Sequence, residues 1–228
     1  MKNILIAPST DPCPIKDLTK YVQELENSKA DWIHCDIMDG KFVLKRTYDH
    51  LIFAFLRKAT TLPLDVHLMV KEPMKVVKDY VKYGANVITV HYETFSDKIA
   101  LITALSEIRA MGVKVGLSIK PNTPVEVLEN LLNFIDVVLI MSVEPGMSGQ
   151  EFIRDSLIKV AFLNKKRAEL GLNFLIEVDG GINTTNASIV TVSGADVLVS
   201  GSVVYNSKNR AKTMDIMRGK KNSTRRIS

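Results

Sequence analysis

The chain has little cysteine. Cys13 and Cys35 are the only two in 228 residues, too few for a disulfide framework, and the strand period turns Cys35 to the helix-covered side, where a buried thiol is inert. Neither reads as a metal ligand or a nucleophile. Long apolar runs are missing too: none approaches the roughly 20 residues that cross a bilayer, so no membrane partner is expected. Met1-Lys2-Asn3-Ile4 leads into a strand pattern without a signal-peptide core or cleavage site, and a cytoplasmic protein is expected. No glycine-rich dinucleotide loop follows the first strand pattern, which continues Ala7-Pro8-Ser9-Thr10-Asp11-Pro12, and this argues against a doubly wound open sheet. The body also lacks excess positive charge. The net charge is +5, but the segment from Ser207 onward carries +7, leaving about −2 on residues 1–206. Nucleic acid is therefore not the expected partner, and the tail reads as a solvated, frayed terminus.

What is present is a repeat of strand and helix. At 46% hydrophobic and 24% charged, the chain suits one large single-core domain. Apolar, β-branched runs recur at Ile4 to Pro8, Trp32 to Ile37, Leu64 to Val70, Val87 to His91, Val113 to Ile119, Val137 to Val143, Phe174 to Val178 and Val197 to Val199. Between them lie helix-period segments such as Leu18, Val22, Leu25 and Ile99, Ile102, Leu105, Ile108. Gly84, Gly112, Gly171 and Gly194 mark helix ends, while Pro73, Pro124 and Asn183-Thr184-Thr185 mark helix starts. Eight such units in about 206 residues predict an α/β fold, a (β/α)8 TIM barrel of the phosphate-binding type. Residues 1–206 are assigned to the catalytic barrel, and 207–228 to a last helix and a basic, partly disordered tail.

Chemistry-bearing residues collect at the predicted strand ends, where barrels place their active sites. The period of two puts His34, Asp36 and Met38 on one face and Ile33, Cys35 and Ile37 on the other. His67 and Met69 repeat the arrangement on the neighbouring strand, and Asp179 reaches in from across the barrel. His34, Asp36, His67 and Asp179 are therefore expected to hold one divalent ion, with Zn, Fe, Co and Mn all compatible. Two carboxylates facing each other across a ligand, with a cation beside them, suit removal and return of a proton next to a carbonyl, which is an epimerase reaction. Three glycine-rich corners, Pro145-Gly146-Met147-Ser148-Gly149-Gln150, Asp179-Gly180-Gly181 and Ser200-Gly201-Ser202, free backbone N–H groups for a substrate phosphate. Met38, Met69 and Met141 are read as a soft lining that excludes water from the reacting carbon.

On these residues the chain resembles the ribulose-phosphate 3-epimerase family, from Ile6-Ala7-Pro8-Ser9 through Gly201-Ser202. The resemblance is carried by Asp31-Trp32-Ile33-His34, Asp36-Ile37-Met38-Asp39-Gly40, Val66-His67-Leu68-Met69, Met141-Ser142-Val143-Glu144-Pro145-Gly146 and Glu177-Val178-Asp179-Gly180-Gly181, in family order. It implies interconversion of D-ribulose 5-phosphate and D-xylulose 5-phosphate at C3 through an enediolate, in the pentose phosphate pathway. It also implies Asp36 and Asp179 as the acid/base pair, His34, Asp36, His67 and Asp179 as metal ligands, Ser9 and His67 at the sugar, and Gly146, Met147, Ser148, Gly149, Gly180, Gly181, Gly201 and Ser202 at the phosphate. A homo-oligomer is expected.

Three segments differ from the family pattern. Ser-Ile-Leu-Ser-Ala-Asp is replaced by Ser9-Thr10-Asp11-Pro12-Cys13-Pro14, His-Phe-Val-Pro-Asn by Lys41-Phe42-Val43-Leu44-Lys45, and Phe-Gly by Met147-Ser148. A hexulose-6-phosphate (allulose-6-phosphate) 3-epimerase is the alternative, against which Gly180-Gly181-Ile182 favours the pentose form. The decarboxylase and aldolase branch of phosphate-binding barrels is set aside because Met38 stands where its Asp-x-Lys-x-x-Asp pattern has lysine. A non-enzymatic binder using the basic tail is the remaining, least favoured reading.

Overall fold

The computed structural model describes residues 3–220. Eight parallel strands form one sheet: β1 (Leu5–Pro8), β2 (Ile33–Met38), β3 (Leu64–Met69), β4 (Val87–His91), β5 (Lys114–Ile119), β6 (Val137–Met141), β7 (Leu175–Asp179) and β8 (Val197–Ser200). Pairing runs from β2 to β3 and onward through β8 to β1. The β1/β2 seam is drawn together by Thr10 N–H to the His34 carbonyl at 2.9 Å and Asp31 N–H to the Ile6 carbonyl at 3.0 Å. The fold is a nearly closed (β/α)8 TIM barrel.

The helices are α1 (Leu18–Asn27), α2 (His50–Ala59), α3 (Val77–Lys82), α4 (Lys98–Ala110), α5 (Ser156–Glu169), α6 (Ala187–Ser193), α7 (Ser202–Tyr205) and α8 (Arg210–Met217). Gly84, Gly112, Gly171 and Gly194, taken from the sequence as helix ends, all have positive φ. Outward strand residues such as Ile33, Cys35, Val66, Leu68, Ile88 and Val90 pack against the helices in the main core, and every one of them is fully buried. Burial in that apolar layer pushes the Cys35 thiol up to about 12. Inside the barrel, Leu5, Trp32, Val87, Val137, Leu175 and Val197 close the lower end.

One connection departs from the repeat. Between β5 and β6 the chain forms two 3₁₀ turns, Val125–Leu128 and Leu132–Phe134, where Pro124 had suggested a helix start. Val125, Leu128 and Leu131 are buried at a spacing of three, which suits three residues per turn better than 3.6. Lys159 on α5 ties this segment down by donating to the carbonyls of Lys120, Pro121 and Thr123.

The beginning of the basic segment is packed against the barrel. Met214 and Met217 of α8 are buried, Arg210 pairs with Glu24 at 2.8 Å, and Arg218 pairs with Asp31 at 2.6 Å while donating to the Lys29 carbonyl. The solvated reading thus does not hold for residues 210–218, because methionines in the helix face the core and two arginines find acids on the body. Residues 221–228 of the expected tail lie outside the described residues. Among the described residues, no helix is long and apolar enough to cross a membrane.

Candidate active site

Strand register builds the site. β2 and β3 align His34 with Asp65, Asp36 with His67, and Met38 with Met69, so each inward residue of β2 meets an inward residue of β3 at its own level. β3 aligns His67 with Thr89, and β6 aligns Met141 with Asp179 on β7. All four groups expected to face an ion come together: His34, Asp36, His67 and Asp179 each offer an atom within 4.8 Å of the others.

The distances fit a cation. His34 Nε2 lies 3.3 Å from Asp36 Oδ1 and 3.4 Å from His67 Nδ1, and His67 Nδ1 lies 3.2 Å from Asp36 Oδ1. A tetrahedral ion with ligands near 2.0–2.1 Å has ligand-to-ligand edges of about 3.3–3.4 Å. Asp179 Oδ2 stands slightly farther out, 3.9 Å from His34 Nε2 and 4.0 Å from His67 Nδ1. Each imidazole is oriented by its other nitrogen. His34 Nδ1 lies 2.6 Å from Asp65 Oδ2, while His67 Nε2 lies 2.8 Å from His91 Nε2, and His91 Nδ1 in turn lies 3.1 Å from Glu93 Oε2. With a cation at the shared centre, these partners would keep the protons on the far side of both rings and turn a lone pair of each toward it. His34, Asp65 and Glu177 form a second cluster below, but His34 Nδ1 is already engaged there with Asp65.

Electrostatics separate the two carboxylates. Burial alone would raise the Asp36 pKa, but His34 and His67 beside it outweigh burial and hold it well below the usual carboxylate range. Burial and the neighbouring Asp36 charge push Asp179 up to about 6. Deeper still, burial and Asp65 raise Glu177 to about 8.

Above these groups opens a pocket of about 200 Å³. Ser9, Asp36, Met38, Met69, Met141 and Asp179 line its reactive end. The Ser9 hydroxyl donates to Asp36 Oδ2 at 2.5 Å. Gly146, Met147, Ser148, Gly149, Gly180, Gly181, Gly201 and Ser202 line the same pocket, so three corners far apart in sequence converge. Gly180 and Gly181 have φ of 123° and 66°, and a Cβ on them would approach Val143 and Phe152 to 2.5 and 2.6 Å, so only glycine fits this corner. Every site residue singled out from the sequence is thus in the pocket wall or the four-group cluster.

Other participants escaped the sequence reading. Asp65, buried beneath His34, has no local motif, and its partnership is set by register alone. His91 and Glu93 are two residues apart, a spacing that could suggest joint action, but a single inward histidine in a barrel reads first as a core residue. Asp11 also lines the pocket.

A sequence profile described as the ribulose-phosphate 3 epimerase family matches residues 5–205. The chain belongs to the ribulose-phosphate 3-epimerase family. It is 42% identical over 212 residues to the chloroplastic ribulose-5-phosphate-3-epimerase of Arabidopsis thaliana, covering 93% of this chain and 75% of that protein. It is 40% identical over 219 residues to the ribulose-phosphate 3-epimerase of Bacillus subtilis (strain 168), covering 96% of this chain and 100% of the relative. Family membership makes the protein an isomerase. Among solved structures, 3-hexulose-6-phosphate synthase from Salmonella typhimurium superposes with a TM-score of 0.70 at 14% identity, covering 95% of this chain and 97% of that one. At that identity the likeness is one of fold alone.

Proposed function

We propose that the protein interconverts D-ribulose 5-phosphate and D-xylulose 5-phosphate by moving the proton at C3, as a cytoplasmic enzyme of the pentose phosphate pathway. The reading is carried by one observation: Asp36 on β2 and Asp179 on β7, three strands apart around the barrel, reach the same pocket. Inverting a carbon requires one group to take its proton from one face and another to return a proton to the other face. Asp36 and Asp179 divide those roles. Ser9, bonded to Asp36, fixes that carboxylate and stands beside the sugar. His34, Asp36, His67 and Asp179 would hold a divalent cation, Zn, Fe, Co or Mn, whose positive charge would favour the enediolate oxygens. Met38, Met69 and Met141 keep water from the reacting carbon, and the three glycine corners offer backbone N–H groups to the phosphate. Pairing with a second copy is supported by apolar side chains facing solvent on the outer helices, such as Leu51 and Phe55 on α2.

The test is incubation of the metal-loaded protein with D-ribulose 5-phosphate in deuterated water, followed by NMR. Xylulose 5-phosphate labelled at C3 is expected. Neither product nor exchange with the pentose, together with turnover of allulose 6-phosphate, would replace the pentose assignment by the hexose one.

A further inference from the structure

Asp11, Lys45 and Ser148 lie on three different loops, after β1, β2 and β6, and meet at the rim of the pocket. The Lys45 ammonium is paired with the Asp11 carboxylate, and Ser148 stands near enough to favour the charged form of that carboxylate. The Asp11 side chain is only 4% exposed, whereas that of Lys45 is 38% exposed and approaches from solvent. These are also three positions at which the chain departs from the family pattern, with Asp11 for leucine, Lys45 for asparagine and Ser148 for glycine. The three changes build one cluster.

A buried carboxylate in the wall of a pocket that receives a phosphate dianion is costly unless it is neutralised and hydrogen-bonded. The ion pair with Lys45 and the hydroxyl of nearby Ser148 meet that requirement. A carboxylate has about four lone-pair sites, so the bond from Lys45 leaves acceptor capacity for the pocket that Asp11 lines. Its location along the substrate follows from its neighbours. Asp11 N–H donates to Ser9 Oγ at 2.9 Å, and Ser9 in turn holds Asp36, which ties Asp11 to the proton-transfer end. On the other side, Pro12 lies 3.6 Å from where a Gly201 Cβ would stand, and Ser148 belongs to the Gly146–Gly149 corner. Asp11 thus lies between the reacting carbon and the phosphate.

We propose that Asp11, neutralised and oriented by Lys45 and Ser148, is a specificity-determining residue that accepts a hydrogen bond from the substrate hydroxyl between the reacting carbon and the phosphate-bearing carbon. The proposal rests on the epimerase reading, in which that group is the C4 hydroxyl. A site built to bond a hydroxyl discriminates against the analogue that lacks it.

The experiment compares kcat/KM for D-ribulose 5-phosphate and for its 4-deoxy analogue in the wild type and in the D11L/K45M double variant, which leaves no lone buried charge. The wild type is expected to prefer the hydroxylated substrate by about 100-fold, as a hydrogen bond to a charged group allows, and the variant by about 10-fold or less. An unchanged ratio in the variant overturns the proposal while the epimerase reading stands. A wild type with neither turnover nor C3 exchange overturns the epimerase reading and this one with it. If circular dichroism finds the double variant unfolded, Asp11→Asn decides: a ratio reduced by several-fold supports the proposal, and an unchanged ratio sinks it.

Discussion

His67 and His91 face each other with their Nε2 atoms 2.8 Å apart, and only one of the two can carry the proton between them. His91 Nδ1 bonds to the Glu93 carboxylate, so Nδ1 carries the His91 proton. Burial, with the adjacent His67, keeps His91 neutral by lowering its pKa to about 4. His67 therefore donates from Nε2, and its Nδ1 would be free to turn a lone pair toward a cation held beside Asp36. Glu93, through His91, sets the tautomer of His67.

Replacing His91 by phenylalanine should weaken binding of Zn or Mn to the metal-free protein by about 10- to 100-fold, the usual cost of losing a group that orients a ligand. Calorimetry measures this directly. Unaltered affinity would remove His91 from that role.

Asp36→Asn and Asp179→Asn should each lower turnover by about 10²-fold or more with the barrel intact by circular dichroism, since neither amide moves a proton. Exchange of the C3 hydrogen, measured at saturating metal, separates lost proton transfer from lost metal. Retained turnover in either variant would exclude that residue from the acid/base pair.

Glu93 gives a pH signature. Burial opposes its charge, but His91, the Lys120 N–H and the Thr123 hydroxyl outweigh burial and bring its pKa from 4.5 to about 2. A depressed carboxylate stabilises the fold fully above pH 4.5, and that contribution disappears as the pH falls through about 2. Thermal midpoints of wild type and Glu93→Gln should therefore differ in slope between pH 5 and 2, the wild type falling more steeply. Parallel curves would count against this assignment.

Ending the chain after Ser207 should destabilise the protein by several kcal/mol, because it removes the buried Met214 and Met217 and both arginine ties to the body. A thermal midpoint equal to that of the full chain would mean that α8 contributes nothing.

Gly181→Ala places a methyl group 2.6 Å from the Phe152 nitrogen at a φ that alanine disfavours, at a cost of about 1–3 kcal/mol. The displaced corner should raise KM by about 10-fold for the phosphorylated substrate. An unchanged KM would separate this corner from phosphate binding.

The sequence by itself determined the periodic elements: β-branched runs became strands within a residue or two of their expected ends, and alternation put His34, Asp36 and Met38 on the inner face. These are local properties, fixed by backbone geometry and side-chain period. It missed the 3₁₀ connection because each turn is only three or four residues long, and over one turn an i, i+3 pair such as Val125 and Leu128 suits either helix. Only the tertiary structure decided which inward residues meet. The pairing of His34 with Asp65, the line from His67 through His91 to Glu93, and the meeting of Asp11 with Lys45 and Ser148 depend on strand register and loop packing between segments distant along the chain. A period of two says which face a side chain takes, but barrel closure and strand stagger choose its neighbour.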